Sequence, residues 1–277
     1  MKPEFKRGGI PHYALVATVV LSAVISCGST CLCGAESKAE LPWRQLPLIS
    51  GGKVDPNWIH VGWGGFVVDD GAIRTECAPQ GLGLLVYKKE PLGDCQIRVV
   101  FKAKDGKSNS GVYVRLADGV LDQVGKPGAA FDRDASGKIS GESMAKMQES
   151  GERDEGAWYG VHHGYEVQIA DGGDPYHCTG SIYSLAPSAA APTQGGEWRT
   201  MVITLAGQKI SVEIDGKPVT SVDTASPDLP PRKIWHEPKR EPKRPIKGYV
   251  GLQTHDPGDV VWFKEVSVRA LPVASPK

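Results

Sequence analysis

The 277-residue sequence has no surplus of charge of either sign, 32 Lys and Arg standing against 32 Asp and Glu. A dedicated nucleic-acid binder usually carries a basic excess to neutralise phosphates, so nucleic acid is not an expected partner. Long apolar runs are missing as well. The longest, Tyr13 to Ile25, falls well short of the ~20 residues that cross a bilayer as a helix. Cysteine is sparse: of six, only Cys77, Cys95 and Cys178 lie beyond residue 35. An odd number of thiols cannot all pair within one chain, which leaves buried thiols, or one bridge and one free thiol. No close cluster of Cys and His marks a zinc site. No long stretch has a convincing helical period either.

Turn formers, by contrast, are plentiful, with 34 Gly and 21 Pro. Hydrophobic residues at 40% and charged residues at 23% are ordinary for a globular chain and wrong for a disordered one. Seven Trp are many for this length, and Trp serves binding surfaces as well as cores.

Lys2, Lys6 and Arg7 precede the apolar run, the pattern of a cleaved export signal over residues 1–35. Two processing sites compete. Cys33-Gly34-Ala35 offers small residues for ordinary cleavage, whereas Val24-Ile25-Ser26-Cys27 resembles a lipobox with Cys27 lipidated. Either way the product is expected outside the cytoplasm, periplasmic or secreted, with a lipid on Cys27 as its one link to a membrane.

Residues 36–277 read as a single all-β domain. Gly65–Val68 and Ala72–Thr75 flank Asp69-Asp70-Gly71, a hairpin signal. Further strand-like segments are Leu84–Tyr87, Gln96–Phe101, Gly111–Arg115, Gly164–Ala170, Gly180–Ser184, Thr200–Leu205, Lys209–Ile214, Gly248–Thr254 and Val260–Arg269. Val112, Val114, Val167, Ile169, Val202 and Ile203 are the expected core contributors. Such a strand count without helices predicts a two-sheet sandwich or jelly roll. Two stretches interrupt it: a polar, Gly-rich insert at 117–157 and a Pro-rich, charged segment at 226–247, expected to be a solvated loop. Within the latter, Trp235 offers a face on which a sugar can stack.

Alternation along strands sorts side chains onto two faces. On that rule Tyr113 and Arg115 lie opposite Val112 and Val114. Glu166 shares a face with Gln168, and Gln253 with His255. One sheet face would thus gather an acid, an arginine, amides and an imidazole, a mixture suited to a ligand groove.

The segment Ser108-Asn109-Ser110-Gly111-Val112-Tyr113-Val114-Arg115 resembles a motif of the 3-keto-disaccharide hydrolases, also described as 3-keto-glucoside lyases or hydratases. So do Gly164–Ile169, Thr179–Tyr183, Gly196–Thr200 and Gly248–Gln253, in the same order, the likeness running from about Trp43 to Val268. The resemblance implies a concanavalin A/laminarinase-like jelly roll whose concave sheet binds sugar. Retaining glycosidases of this fold type use two carboxyl groups ~5–5.5 Å apart. Here the comparable run is Glu166-Val167-Gln168-Ile169-Ala170-Asp171, with an amide at 168 and a shortened acid at 171.

A 3-keto sugar needs less. The ketone acidifies the C2 proton, so one base removes it and the C1 substituent leaves; water then adds across the double bond. Glu166 or His163 is the candidate base, Arg115 or a bound cation the partner of the developing oxyanion, and His255 the acid for the leaving group. Tyr113, Gln168, Asp171, Tyr183, Gln253 and Trp235 are the expected sugar contacts. His162-His163 near Glu166 also suggests a divalent cation, although neighbours in a strand face opposite ways. Asp132 to Ser140 matches the first nine positions of an EF-hand calcium loop, with Asp132, Asp134 and Ser136 as oxygen donors. The match falters at position twelve, where Ser143 stands in place of glutamate. A non-catalytic carbohydrate-binding module and a scaffold protein are the rival functions on the same fold.

Overall fold

Hairpin turns set the strand order. Asp70 (φ 47°) and Gly71 (φ 74°), and again Asp215 (φ 52°) and Gly216 (φ 75°), hold two successive left-handed residues. That is what a type I′ turn demands, and its twist matches the strands on either side. The computed structural model describes residues 41–271; the export signal and Cys27 lie outside the described residues. Its strands are β1 (Arg44–Gln45), β2 (Ile49–Ser50), β3 (Lys53–Val54), β4 (Trp58–Gly62), β5 (Gly65–Asp69), β6 (Ala72–Glu76), β7 (Gly83–Tyr87), β8 (Cys95–Ala103), β9 (Ser110–Leu116), β10 (Tyr165–Ile169), β11 (Arg199–Ala206), β12 (Lys209–Ile214), β13 (Lys217–Asp223), β14 (Tyr249–Thr254) and β15 (Val261–Ala270).

They form two antiparallel sheets that pack as a jelly-roll sandwich. An eight-stranded sheet runs β13-β12-β11-β8-β15-β6-β5, with β1 added beside β15; a five-stranded sheet runs β10-β9-β14-β7-β4. In the larger sheet burial alternates. Ile97, Val99 and Phe101 of β8 point inward with Met201, Ile203 and Leu205 of β11, while Gln96, Arg98 and Lys102 face out. Val112, Val114, Val167, Ile169 and Ile203 join this core as the sequence predicts. Val202 does not; next to Ile203 in an extended strand, it must occupy the other face and is only partly buried.

The smaller sheet is buried on both sides, every residue of β7, β9 and β10 being shielded. Its outer cover comes from the polar, Gly-rich insert, part of which is helical. A 3₁₀ turn (Asp118–Gln123), helix α1 (Gly141–Glu152) and the short helix α2 (Ala157–His163) form there. Ser140 caps α1, its hydroxyl accepting the Ser143 N–H at 3.1 Å. Met147, Trp158 and Val161 then pack on Val61, Leu84, Tyr113 and Leu116. Gly160 makes that approach feasible, since a Cβ there would stand 3.2 Å from Leu116 Cδ2 and closer still to Leu84.

The Pro-rich segment is a loop without helix or strand, exposed at Pro227, Lys233, Glu241 and Lys243, but it is not solvated throughout. Arg244 is buried, donating Nε–H to the Gly164 carbonyl at 3.0 Å and lying over the Tyr165 ring. Glu237 is also buried and accepts the Lys233 N–H at 2.7 Å. Gly180–Ser184 is no strand; Ile182 makes only isolated bridges to Val167 and Ala186. Cys77, Cys95 and Cys178 are free thiols. Among the described residues no helix is long and apolar enough to cross a membrane.

Candidate active site

The outer face of β9, β10 and β14 is left uncovered at one end, and there a cavity of about 370 Å³ opens, within the range of small-molecule sites (~300–1,000 Å³). Tyr113, Glu166, Gln168 and Gln253 form its floor. Strand register explains the grouping: Tyr113 is the cross-strand partner of Glu166, Gly111 of Gln168, and Gly251 of Tyr113. Trp158 and Val161 of α2, Met144 of α1, and Phe131 wall one side; Trp235 and His236 of the Pro-rich segment close another. Trp158 and Trp235 meet with ring centroids 5.0 Å apart. Flat aromatic faces beside a few polar groups suit the C–H faces and hydroxyls of a sugar.

A hydrogen-bond relay fixes the floor. Gln253 Nε2 donates to the Tyr113 hydroxyl at 3.2 Å, and that hydroxyl donates to Glu166 Oε2 at 2.7 Å. Gly111 supplies the room for the carboxylate, because a Cβ at 111 would lie 2.8 Å from Glu166 Cγ. Burial pushes the Glu166 carboxyl up to about 7, against the opposing pull of the Tyr113 hydroxyl, the His255 charge and Gln253. Burial raises the Tyr113 phenol too, and the Glu166 charge adds to this, so Tyr113 remains a donor.

His255 stands at the rim. Its Nδ1 meets Asp259 Oδ2 at 2.9 Å, and Asp259 also accepts the N–H groups of Asn109 and Asp256, each at 3.0 Å. Burial opposes the imidazolium, but the Asp259 hydrogen bond and the carboxylates of Asp256, Asp259 and Glu166 outweigh it, so the pKa is raised. Asp256, the other carboxylate of the lining, is ion-paired with Arg133 at 2.8 Å. The Gln253 Oε1 and Asn109 Oδ1 atoms are buried without a partner among the described residues. The other end of the Gln253 amide is tied to Tyr113.

Glu166, His255, Tyr113, Gln168, Tyr183, Gln253 and Trp235 are thus brought together around one cavity. Four expected participants stand elsewhere. Arg115 has φ 53° at a point where the β9–β14 register slips. This bulge breaks the alternation and sends its guanidinium to the Gly207 carbonyl at 2.5 Å, in the turn between β11 and β12. His163 is on the last turn of α2, not on a strand. Its Nε2 is 2.9 Å from Asp154 Oδ2 and its ring stacks on Tyr159. Its neighbour His162 is fully buried, accepts the Lys239 N–H on Nδ1 at 3.2 Å, and is held down to about 4 by burial and by Lys239. Asp171 ties loops together, accepting from Thr179 Oγ1 at 2.6 Å and the Thr193 N–H at 2.9 Å. The candidate calcium loop is a tight turn in which Asp134 Oδ1 accepts the N–H groups of Ser136 and Lys138 at 2.8 and 3.0 Å, and the Lys138 carbonyl is taken by the Asp134 N–H. Asp134 and Ser136 meet there, the Ser136 hydroxyl donating to Asp134 Oδ1 at 2.5 Å, while the Asp132 N–H donates to Ser143 Oγ at 2.7 Å and the segment before Asp132 is not helical.

Sequence reasoning missed Asn109, Trp158 and His236 as lining residues. Asn109 sits inside the motif already singled out, and His236 follows Trp235. Trp158 was hidden in the insert.

Comparison with known proteins agrees with this architecture. Two candidate glycosyl hydrolases from Parabacteroides distasonis ATCC 8503 share the fold. One matches with a TM-score of 0.53 and 23% identity over 83% of this chain and 100% of its own. The other matches at 0.50 and 18% identity over 80% and 91%. Among curated proteins no sequence match is found. Residues 46–269 match the model of the 3-keto-alpha-glucoside-1,2-lyase-like domain, which gives the chain a carbohydrate-related function. With that span covering most of the sequence, the chain belongs to the 3-keto-alpha-glucoside-1,2-lyase-like domain family.

Proposed function

We propose that the protein is an exported enzyme that cleaves 3-keto-disaccharides or 3-keto-glucosides by elimination, with water addition completing a net hydrolysis. The observation that carries this reading is a single buried carboxyl, Glu166, raised to about 7 and sharing its cavity with the carboxylate-backed imidazole of His255. A base with a pKa near the working pH combines a populated basic form with useful proton affinity. Double displacement would need a protonated acid and a free ionised nucleophile ~5–5.5 Å apart, whereas the other carboxylate of this lining, Asp256, is ion-paired with Arg133.

In the proposed reaction Glu166 removes the C2 proton, and the C–H electron pair forms an enolate whose charge rests on the 3-oxygen. Gln168, whose Oε1 accepts the Ile169 N–H at 3.2 Å, keeps its NH₂ group as a donor for that oxygen. The enolate collapses, C3=O re-forms, C1=C2 forms and the C1–O bond breaks. The departing oxygen takes a proton from the His255 imidazolium. Water then adds its oxygen to C1 and gives one proton to the neutral His255 imidazole, restoring the imidazolium, while Glu166 returns its proton to C2. Arg115 and His163, placed away from the cavity, are not assigned a step. Export rests on the charged start and apolar run of residues 1–35, with a periplasmic or secreted location, or an envelope tether through Cys27.

The test is Glu166→Gln. It should keep the fold and sugar binding while lowering turnover of a 3-keto-glucoside by ~10²-fold or more. A folded, fully active variant would remove Glu166 as the base. Wild-type protein that binds the sugar without converting it would favour a binding module instead.

A further inference from the structure

The cavity belongs to the smaller sheet. Across the sandwich, the outer face of the larger sheet brings tryptophans and cations into contact. Lys102 of β8 faces outward beside its ladder partner Trp262 of β15, and Gln96 beside Arg269. Near one end of β8, the guanidinium groups of Arg98 and Arg269 each lie 4.5 Å from the Trp43 ring centroid. Near the other end, the Lys102 ammonium lies 4.6 Å from the Trp262 ring and 5.0 Å from the Trp198 ring. Lys264 reaches Trp198 as well, at 5.6 Å. Trp262 is fixed, its indole N–H donating to Asp69 Oδ2 at 2.8 Å.

Charge on this face is unevenly balanced. Arg98 is paired with Glu265 at 2.6 Å and Arg74 with Asp69 at 3.1 Å. Lys102 and Lys264 have no carboxylate at ion-pairing distance among the described residues. An indole face attracts a cation but has no net charge with which to neutralise it. Two ammonium groups around the one Trp198 ring therefore leave a local positive field, and Trp198 itself is 41% exposed. Along an extended strand Arg98 and Lys102 stand about 13 Å apart. Two clusters of cations and aromatic rings at that spacing fit an extended polymer better than a small anion.

We propose that this face docks an acidic polysaccharide, a uronate-bearing chain laid along β8 and β15. A sugar ring lies on Trp198, and its carboxylate sits between Lys102 and Lys264. The indole takes the C–H face of the sugar, and the ammonium groups supply charge-assisted hydrogen bonds. Other polyanions fit less well. Trp198 is the one exposed large hydrophobic side chain in these contacts, so a bilayer finds no aliphatic group there to take up. Duplex nucleic acid, with one charge per ~1.7 Å, is denser in charge than two free ammonium groups match. The surface is separate from the Glu166 cavity and does not rest on the elimination reading.

Affinity electrophoresis with polygalacturonate in the native gel tests the proposal, with dextran as the neutral control. The wild type should be retarded by polygalacturonate and not by dextran. Lys102→Ala combined with Lys264→Ala should weaken binding ~10-fold or more, since two charge-assisted hydrogen bonds are lost. Trp198→Ala should weaken it too, whereas a purely electrostatic attachment would be indifferent to that change. Thermal unfolding run in parallel separates lost binding from lost fold. If the alanine pair unfolds, Lys264→Gln alone, at an exposed position in a bulge, carries the test. No retardation of the wild type overturns the site, as does retardation left unchanged by either the lysine variant or Trp198→Ala. Equal or tighter binding of duplex DNA or of phosphatidylglycerol vesicles, measured by calorimetry, would reveal a general anion-binding surface and overturn it as well.

Discussion

The Tyr113 hydroxyl donates to Glu166 Oε2 at 2.7 Å, and the two residues are direct partners across the β9–β10 ladder. The sheet register therefore holds a proton donor against one carboxylate oxygen and leaves the other for the cavity. Because Tyr113 is itself fully buried and fixed by Gln253, the donor cannot swing away without breaking a second hydrogen bond. Burial raises the affinity of Glu166 for a proton, and Tyr113 limits how far.

Tyr113→Phe should consequently shift the pH dependence rather than abolish activity. The lost hydrogen bond stabilised the carboxylate, so the variant's Glu166 pKa rises above the wild-type value of about 7. A hydrogen bond to a charged group contributes about 1.5–3 kcal/mol, so the acid limb of the kcat/KM profile should move up by about one pH unit or more. The measurement is that profile for both proteins, and coincident acid limbs would refute the role given to Tyr113.

Gly111→Ala probes the same carboxylate sterically. The new methyl group would stand 2.8 Å from Glu166 Cγ and nearer still to Oε1, so the side chain must swing out of its pocket. Displacing a catalytic group by about 1 Å can cost ~10²-fold, and a comparable loss in kcat with little change in thermal midpoint is expected. Retained kcat would show that Glu166 works from a different rotamer.

Sheet pairing and turn chemistry were the legible part of this chain. The Asp70-Gly71 and Asp215-Gly216 turns and the alternating burial of β8 and β12 are local properties, readable from residue type alone. Glu166 and Gln168 could be placed on one face because β10 is regular. Arg115 could not, because the bulge beside it depends on how β14 pairs at Tyr249 and Gly251, far away in sequence, and strict alternation fails at a bulge. Helix α1 escaped notice because only Met144, Ala145 and Met147 along Gly141–Glu152 are apolar, too few to define a stripe. With α1 and α2 unread, the cover of the smaller sheet was unreadable as well, and with it Trp158 and the true setting of His162 and His163. The Pro-rich segment misled through composition: its Arg and Glu side chains look solvent-bound until the folded chain gives Arg244 and Glu237 buried partners.

His162 should make the fold sensitive to acid. Its pKa is held to about 4 by burial and by Lys239, whereas an unfolded histidine titrates near 6.5. The unfolded state therefore binds a proton that the folded state refuses. The stability contributed by the neutral ring is present above pH 6.5 and is lost as pH falls towards 4, by up to about 3 kcal/mol. His162→Asn keeps an acceptor for the Lys239 N–H and removes the titration. Denaturant unfolding at pH 7 and pH 4.5 should show a smaller decrease for the variant than for the wild type, and equal decreases would mean that His162 is protonated in the fold.

Glu166 predicts a stability change of opposite slope. Its folded pKa, about 7, lies above the unfolded value of roughly 4.3, so the folded state holds a proton that the unfolded state has already released. The associated stability is complete below the unfolded pKa and is lost as pH rises from there through about 7, after which the penalty is constant. The difference between the two values corresponds to about 3–4 kcal/mol. Glutamine keeps the shape and the neutral state at every pH, although its amide must turn so that its oxygen accepts from Tyr113. Glu166→Gln should therefore gain stability relative to the wild type between pH 4.5 and 7 and hold that gain at pH 8, while turnover collapses. A residue that served only to pair charges in the sandwich would behave the other way, costing stability when changed and sparing the residual activity. Paired unfolding curves at pH 4.5, 6 and 8, run beside the turnover assay, separate the two. A variant less stable than the wild type at pH 8 would mean that Glu166 is ionised at little cost, and its assignment as a base poised by burial would then be withdrawn.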